Sequence, residues 1–173
     1  PAYLAQIIVQ CTFDITPTGY VDGIPADLNV LFRQAHTNGA RIHSDSWGMT
    51  TNGAYTTEAR MCDEFVWNNK DMLIAFAAGN SGEDKDKNAV IDPGSLNAPG
   101  TAKNVLAVGA SENLRAEFLL DYWWYPERPL KHDLYTWPYD GANQGMAPFS
   151  SRGPCVDGRS KPDIVAPGTG IVA

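Results

Sequence analysis

The sequence predicts an α/β fold built around a mostly parallel β-sheet. Short apolar, β-branched runs alternate along the chain with amphipathic stretches, and glycine or polar residues follow the ends of the apolar runs. A strand-helix-strand order of this kind is the pattern of βαβ units, whose crossover connections are right-handed. The 173 residues are enough for one domain with a buried core.

The amino-terminal part of the chain supplies the first three elements. Residues 3–9 mix apolar and β-branched side chains and predict a strand. Residues 27–38 carry apolar side chains at helical spacing, and Gly39 is expected to end that helix. Residues 41–47 predict a short strand that ends at Gly48.

The next three elements continue the alternation. Thr56 or Thr57 can cap a second helix that runs to about Asn69. Residues 72–78 form a nearly continuous apolar run, which predicts a strand buried on both faces. Residues 105–110 predict a further strand of the same sheet.

Residues 114–145 break this pattern. Tryptophan and tyrosine side chains crowd into a segment that also contains several prolines and shows neither a helical nor a strand period. The composition favours a folded surface insertion whose aromatic rings pack on each other and on the body of the domain. A carbohydrate- or partner-binding surface is the alternative.

Charge and hydropathy argue against two classes of protein. The formal net charge is −7 and the isoelectric point is near 4.8, so a nucleic acid is not expected as the main partner. No apolar run approaches the roughly 20 residues that a membrane span requires.

The three cysteines lack C-x-x-C spacing, so we expect buried thiols or one incidental bridge rather than a disulfide framework or zinc site. Pro1 is not a natural start, so an upstream segment is expected to have been removed.

Two strand ends carry the residues best suited to a binding site. Ligands of a parallel α/β sheet bind beyond the carboxyl ends of its strands. Residues 46–48 (Ser-Trp-Gly) and residues 77–82 (Ala-Ala-Gly-Asn-Ser-Gly) lie at two such ends. Glycine at these points would let an extended polypeptide backbone approach closely.

The sequence also contains a set of motifs in a fixed order. The last two read F-S-S-R-G-P and K-P-D-I-V-A-P-G, and the full set lies at residues 39–48, 76–80, 98–105, 108–111, 146–154 and 161–169. Together these runs resemble consecutive motifs of the subtilisin-like serine proteases. The similarity is greatest to the large, oxidation-tolerant alkaline protease branch, which has a similar L-F-x-Q-A helix before its S-W-G strand. The resemblance implies a subtilisin-like three-layer fold and serine-type endopeptidase activity on a polypeptide substrate.

The resemblance assigns a catalytic role to Asn80. In this family the asparagine of the A-A-G-N motif donates its side-chain amide to the oxyanion of the tetrahedral intermediate, and such preorganised donors stabilise developing charge. The other implied positions bind the substrate: Ser46, Trp47 and Gly48 form one wall of the primary specificity pocket, Ala77, Ala78 and Gly79 form the other, and Asn97 lies near its base.

The sequence departs from the family pattern at the catalytic triad. The aspartate motif D-[ST]-G, the histidine motif H-G-T-H and the serine motif G-T-S-M-A do not occur in it. We therefore expect residues 1–173 to be a central part of the catalytic domain, inactive when isolated, with the triad in the remainder of that domain. A non-catalytic relative that binds a peptide or a partner protein is the alternative, and the flanking sequence distinguishes the two.

No cofactor is expected for the chemistry, but the resemblance implies structural cations. Calcium held by backbone carbonyls would here involve Gly100, Ala102 and Val105, and the acidic loop at residues 83–88 is either solvated or a calcium site. Asp163 is expected to brace a buried turn rather than to transfer protons. The resemblance further implies a secreted protein.

Overall fold

The structure, a computed structural model, describes residues 4–12, 23–86, 88, 90–112 and 145–169. Within them it has two α-helices and four β-strands. The helices are α1 (Leu28–Thr37) and α2 (Thr57–Asn68), and the strands are β1 (Ile42–Asp45), β2 (Leu73–Ala77), β3 (Leu106–Ser111) and β4 (Ile164–Pro167). The insertion predicted at residues 114–145 lies, apart from Gly145, outside the described residues.

The four strands form one parallel sheet in the order β1-β2-β3-β4. The register pairs Asp45 with Phe76 and Ala77 with Val108, so the carboxyl ends of neighbouring strands meet at one edge. Helix α2 connects β1 to β2 in the crossover that parallel strands require. The predicted α/β class with a parallel sheet is therefore confirmed.

Both helices begin at side-chain caps. The carboxylate of Asp27 accepts a hydrogen bond from the Asn29 backbone N–H at 3.0 Å, and the hydroxyl of Thr56 accepts one from the Ala59 N–H at 3.4 Å. Beyond α1, Gly39 has a φ of +97°, a conformation that favours glycine and stops the helix. The predicted cap at Thr56 and stop at Gly39 are confirmed. Neither described helix has the length and apolar character needed to cross a membrane.

The main hydrophobic core lies between the helices and one face of the sheet. The fully buried ring of Phe32 on α1 is 5.4 Å from the ring of Phe65 on α2 and 6.5 Å from that of Phe76 on β2. The buried members of this cluster are Leu28, Leu31, Phe32, Ala35, Ala59, Cys62, Phe65, Met72, Ile74, Phe76, Ala102 and Val105. Packing of this kind holds β1 and β2, and hence their carboxyl ends, in fixed positions.

The prediction that residues 72–78 are buried on both faces is wrong. Ile74 and Phe76 are buried, whereas Leu73 is 43% exposed and Ala77 is also exposed. The cause is that α1 and α2 pack on the same face of the sheet and leave the alternate side chains of β2 uncovered.

Two predictions about strands also differ from the structure. Residues 4–9 are exposed and belong to no strand, and a cavity of about 800 Å³ is lined by residues 6–8 together with β1. Strand β4 was not predicted, although it pairs with β3 along its whole length. Proline at positions 162 and 167 concealed this strand in the sequence, because a proline within or beside an apolar run argues against a strand there.

The three cysteines form no disulfide with one another. Cys62 and Cys155 are buried, as the sequence predicted, and Cys11 is exposed. Burial raises the pKa of the Cys62 thiol, so this side chain is a small apolar core residue and not a nucleophile.

Candidate functional site

A cavity of about 290 Å³ opens where the strands end. Its wall includes Ser46 after β1, Asn80 after β2, Ala110 on β3 and Gly168 after β4. Residues predicted from separate motifs therefore line one site. This is the position at which a parallel α/β sheet binds its ligands.

The wall formed by residues 46–48 is held at two points. After it, Met49 and Ala98 form an antiparallel bridge with backbone hydrogen bonds of 2.8 and 3.1 Å. Within it, the indole of Trp47 donates a hydrogen bond to the Asp45 carboxylate at 3.0 Å and packs edge-on against Phe76 at 5.1 Å. Ser46 and Gly48 remain exposed, so the backbone on either side of the anchored indole faces solvent.

The opposite wall meets Asn97. The backbone N–H of Asn97 donates to the Ala78 carbonyl at 2.9 Å, and a side chain added at Gly79 would place its Cβ 2.4 Å from Asn97 Nδ2. A Cβ added at Gly48 would lie 3.8 Å from the Cβ of Asn97. Asn97 thus sits between the two glycine positions of the predicted walls. The structure brings these three residues together.

Asn80 lies in the loop after β2 with its side chain uncommitted. The residue is exposed, and its amide makes no hydrogen bond with any described residue. Its neighbours are held instead: the Gly79 carbonyl accepts a hydrogen bond from the Ser151 N–H at 2.9 Å, and the Ser81 N–H donates to Ser151 Oγ at 3.0 Å. Next along the loop, the Gly82 N–H donates to the backbone carbonyl of residue 149 at 2.9 Å. The amide is free to donate, on a loop whose backbone is fixed.

A histidine–aspartate pair beside this site was not predicted. His43 Nδ1 lies 2.7 Å from the Asp45 carboxylate, and His43 Nε2 lies 2.7 Å from Gln10 Oε1. Gln10 donates through Nε2 to the Leu31 carbonyl at 3.0 Å, so its oxygen faces the imidazole. Both ring nitrogens of His43 therefore have partners within the protein. The pair joins residue 10 to β1 and is not part of a catalytic triad.

One of the three carbonyls predicted as calcium ligands already meets a protein cation. The Val105 carbonyl accepts a hydrogen bond from the buried ammonium of Lys161 at 2.9 Å, so a metal ion there would lie beside a positive charge. Calcium at the carbonyls of Gly100 and Ala102 stays a prediction. Among the described residues no group of three or more His, Cys, Asp or Glu side chains could hold a metal. Calcium at the acidic loop stays a prediction.

Asp163 braces the sheet next to this lysine. Its carboxylate accepts hydrogen bonds from the Ala107 N–H at 2.7 Å and from the Lys161 ammonium at 2.6 Å. Its own N–H donates to the Ala107 carbonyl at 2.9 Å. These contacts tie the start of β4 to β3, so Asp163 has a structural role as predicted, but the residue is exposed and does not lie in a buried turn.

Comparisons with known proteins agree on one family. The family model described as the subtilase family matches residues 15–172. The serine protease/ABC transporter B family protein tagD of Dictyostelium discoideum is 28% identical over 200 residues, which cover 86% of this chain and 10% of tagD. The serine protease AprX of Bacillus subtilis is 32% identical over 102 residues, covering 59% of this chain and 16% of AprX. Pyrolysin of Pyrococcus furiosus is 36% identical over 105 residues, covering 58% of this chain and 6% of pyrolysin.

The chain thus spans about a tenth of the length of tagD. Among solved structures, the prenylagaramide maturation protease PagA matches 82% of this chain and 36% of its own, at 22% identity and a TM-score of 0.47.

Proposed function

Since the chain belongs to the subtilase family, we propose that it supplies the substrate-binding strands and the oxyanion-hole asparagine of a serine endopeptidase. The supporting observation is that Asn80, with an uncommitted amide, lines the same cavity as Ser46 at the carboxyl edge of the sheet. The nucleophilic serine, its histidine and the aspartate lie outside these residues in this proposal.

The substrate polypeptide binds by adding a strand to residues 46–48. Their exposed backbone provides hydrogen bonds for an extended peptide, while the lack of a side chain at Gly48 and Gly79 leaves room for the Ala98 carbonyl and Asn97 beside them. Asn97, held between those glycines, forms the base of the pocket that receives the substrate side chain. A polar, uncharged base sets no requirement for a charged side chain in the substrate.

Catalysis then depends on where the scissile carbonyl lies. Attack by the serine oxygen forms a bond to the carbonyl carbon, and the serine proton passes to the histidine. The carbonyl oxygen becomes an oxyanion, to which the amide of Asn80 donates a hydrogen bond. Collapse of the intermediate breaks the peptide C–N bond, and the leaving amine takes the proton from the histidine.

The rest of the catalytic domain covers the surfaces that are exposed here. Ile42 is 69% exposed on the sheet-edge strand β1, and Ile164 and Val165 on β4 are each almost half exposed. Apolar residues on an unpaired sheet edge are a liability that folded proteins normally cover. The partner is the remainder of the same domain, and the isolated 173 residues will not hydrolyse peptides. A secreted location belongs to the same proposal.

The test is the hydrolysis of a chromogenic peptide by the full-length protein. Replacement of Asn80 by alanine should lower kcat by about 10²–10³, the effect of losing this donor in subtilisin, with KM little changed. Asn68→Ala, at an exposed position on the last residue of α2, is the matched control and should leave kcat unchanged. A kcat within about threefold of wild type for Asn80→Ala would remove the oxyanion role. Peptide binding without hydrolysis by the wild-type protein would establish the non-catalytic alternative.

A further inference from the structure

Ser151 contacts the backbone on both sides of Asn80. Its N–H donates to the carbonyl of Gly79, and its hydroxyl oxygen accepts from the N–H of Ser81, at 2.9 and 3.0 Å. The two contacted residues are the immediate chain neighbours of Asn80. Ser151 lies 70 positions from Ser81 in the sequence and is fully buried, so the contact is tertiary and shielded from water.

The segment that carries Ser151 is itself held by several hydrogen bonds. The N–H of Arg152 donates to Ser95 Oγ at 2.9 Å. The guanidinium of Arg152 donates to the carbonyls of Pro148 at 3.2 Å and Ser150 at 2.8 Å, which closes the turn around the serine. Ser151 is therefore a fixed point to which the exposed loop is attached.

We propose that Ser151 is a positioning residue for the oxyanion amide of Asn80. A donor stabilises an oxyanion most when its position is set before the reaction, and the Asn80 side chain makes no hydrogen bond with a described residue that would set it. The backbone at residues 79 and 81 provides that restraint, and Ser151 holds both. The inference rests on the catalytic role proposed for Asn80.

Serine is the side chain that this position requires. The acceptor oxygen must stand one bond beyond Cβ to reach the Ser81 N–H, and complete burial leaves little room for a longer side chain. Alanine would remove the acceptor and leave the Ser81 N–H without it, while keeping the Ser151 N–H bond to Gly79. The loop would then keep its bond at Gly79 and lose the backbone bond at Ser81, so that the nearest backbone restraint after Asn80 would be the Gly82 N–H bond.

Ser150 provides a matched control in the same turn. It is also buried, and its hydroxyl oxygen also accepts a backbone N–H at 3.0 Å, from Ala110 on β3. The two serines thus make the same kind of bond with the same burial. Only the bond of Ser151 ends on a residue next to Asn80.

The experiment is a double-mutant cycle on kcat in the full-length protein. Ser151→Ala should lower kcat about tenfold with KM within about twofold, because the loss falls on the transition state. In an Asn80→Ala background the same substitution should change kcat less than about twofold, because the amide it positions is gone. Ser150→Ala should change kcat by the same factor in both backgrounds. If Ser151→Ala does not fold, Ser151→Cys keeps the volume with a weak acceptor and serves in the same cycle.

The possible outcomes separate the inference from the function on which it rests. If Asn80→Ala lowers kcat but Ser151→Ala leaves it unchanged, the positioning role is overturned and the oxyanion role stands. The same conclusion follows if Ser151→Ala lowers kcat by the same factor in the wild-type and Asn80→Ala backgrounds. If Asn80→Ala itself has no effect on kcat, both fail. Coupling to Asn80 at Ser151 but not at Ser150 supports the inference, since a general loss of stability would affect both serines alike.

Discussion

The buried lysine of the K-P-D motif should contribute strongly to stability. The side chain of Lys161 is 4% exposed and donates to the Asp163 carboxylate at 2.6 Å and to the Val105 carbonyl at 2.9 Å. These bonds connect the segment before β4 to β3. Methionine in place of Lys161 keeps most of the apolar stem and removes the ammonium, which makes Lys161→Met the clearest test of this contact.

The size of the loss follows from the two bonds. Removing a hydrogen bond to a charged group costs about 1.5–3 kcal/mol, and a buried carbonyl such as that of Val105 left without its donor costs about 1–3 kcal/mol. The loss of stability should be smaller than the sum of these two costs. Asp163 is 35% exposed and keeps its hydrogen bond from the Ala107 N–H. The apolar stem of the methionine also stays packed. We expect Lys161→Met to lower the free energy of unfolding by about 3 kcal/mol, near the low end of the range for breaking a buried pair.

The assay is equilibrium unfolding of the full-length protein in urea, followed by tryptophan fluorescence. Lys85→Met is the control, because Lys85 is 73% exposed and 3.7 Å from Glu83, and exposed pairs contribute about 0–1 kcal/mol. If Lys161→Met destabilises the protein no more than Lys85→Met does, the buried ammonium is not the brace described above.

Two further predictions concern the surroundings of the site. The pKa of Tyr55 is raised from 10.0 to about 12 by desolvation and by its hydrogen bond to Asp63, so its neutral form is favoured by folding. The contribution of Tyr55 to the free energy of unfolding is therefore complete below pH 10 and is lost as the pH rises towards 12. In urea unfolding curves measured across this pH range, the Tyr55→Phe protein should lose less stability than the wild type. Equal losses in the two proteins would contradict this prediction. Gly79→Ala, at a φ of +107° and with its new Cβ 2.4 Å from Asn97 Nδ2, should cost about 1–2 kcal/mol of strain alone and lower kcat. If Gly79→Ala has the same free energy of unfolding and the same rate of peptide hydrolysis as the wild type, the loop is not constrained at this position.

Much of the fold could be predicted because its signals are local. The cap at Thr56, the stop at Gly39 and the apolar spacing of α1 each depend on neighbouring residues only. The burial of β2 could not be predicted in the same way, since a continuous apolar run does not reveal which faces are covered. β4 was concealed because its pairing with β3 is a tertiary contact, whereas its prolines are visible in the sequence.

The candidate site shows the same division between local and long-range information. Motifs at two strand ends were sufficient to place Asn80 and Ser46, because parallel strands bring their carboxyl ends to one edge. The partners of Ser151 and Lys161 lie 70 and 56 positions away, and a single sequence contains no signal of such pairings. The F-S-S and K-P-D motifs marked these residues as unusual without revealing what they contact.

A crystal structure of the full-length protein with a peptide boronate would test the central claim most directly. The boron takes the place of the tetrahedral carbon, so one of its oxygens stands where the oxyanion forms. We expect this oxygen to lie about 2.7–3.1 Å from the Asn80 amide nitrogen, with the peptide running antiparallel to residues 46–48. A bound peptide elsewhere, or an oxyanion position out of reach of Asn80, would contradict it.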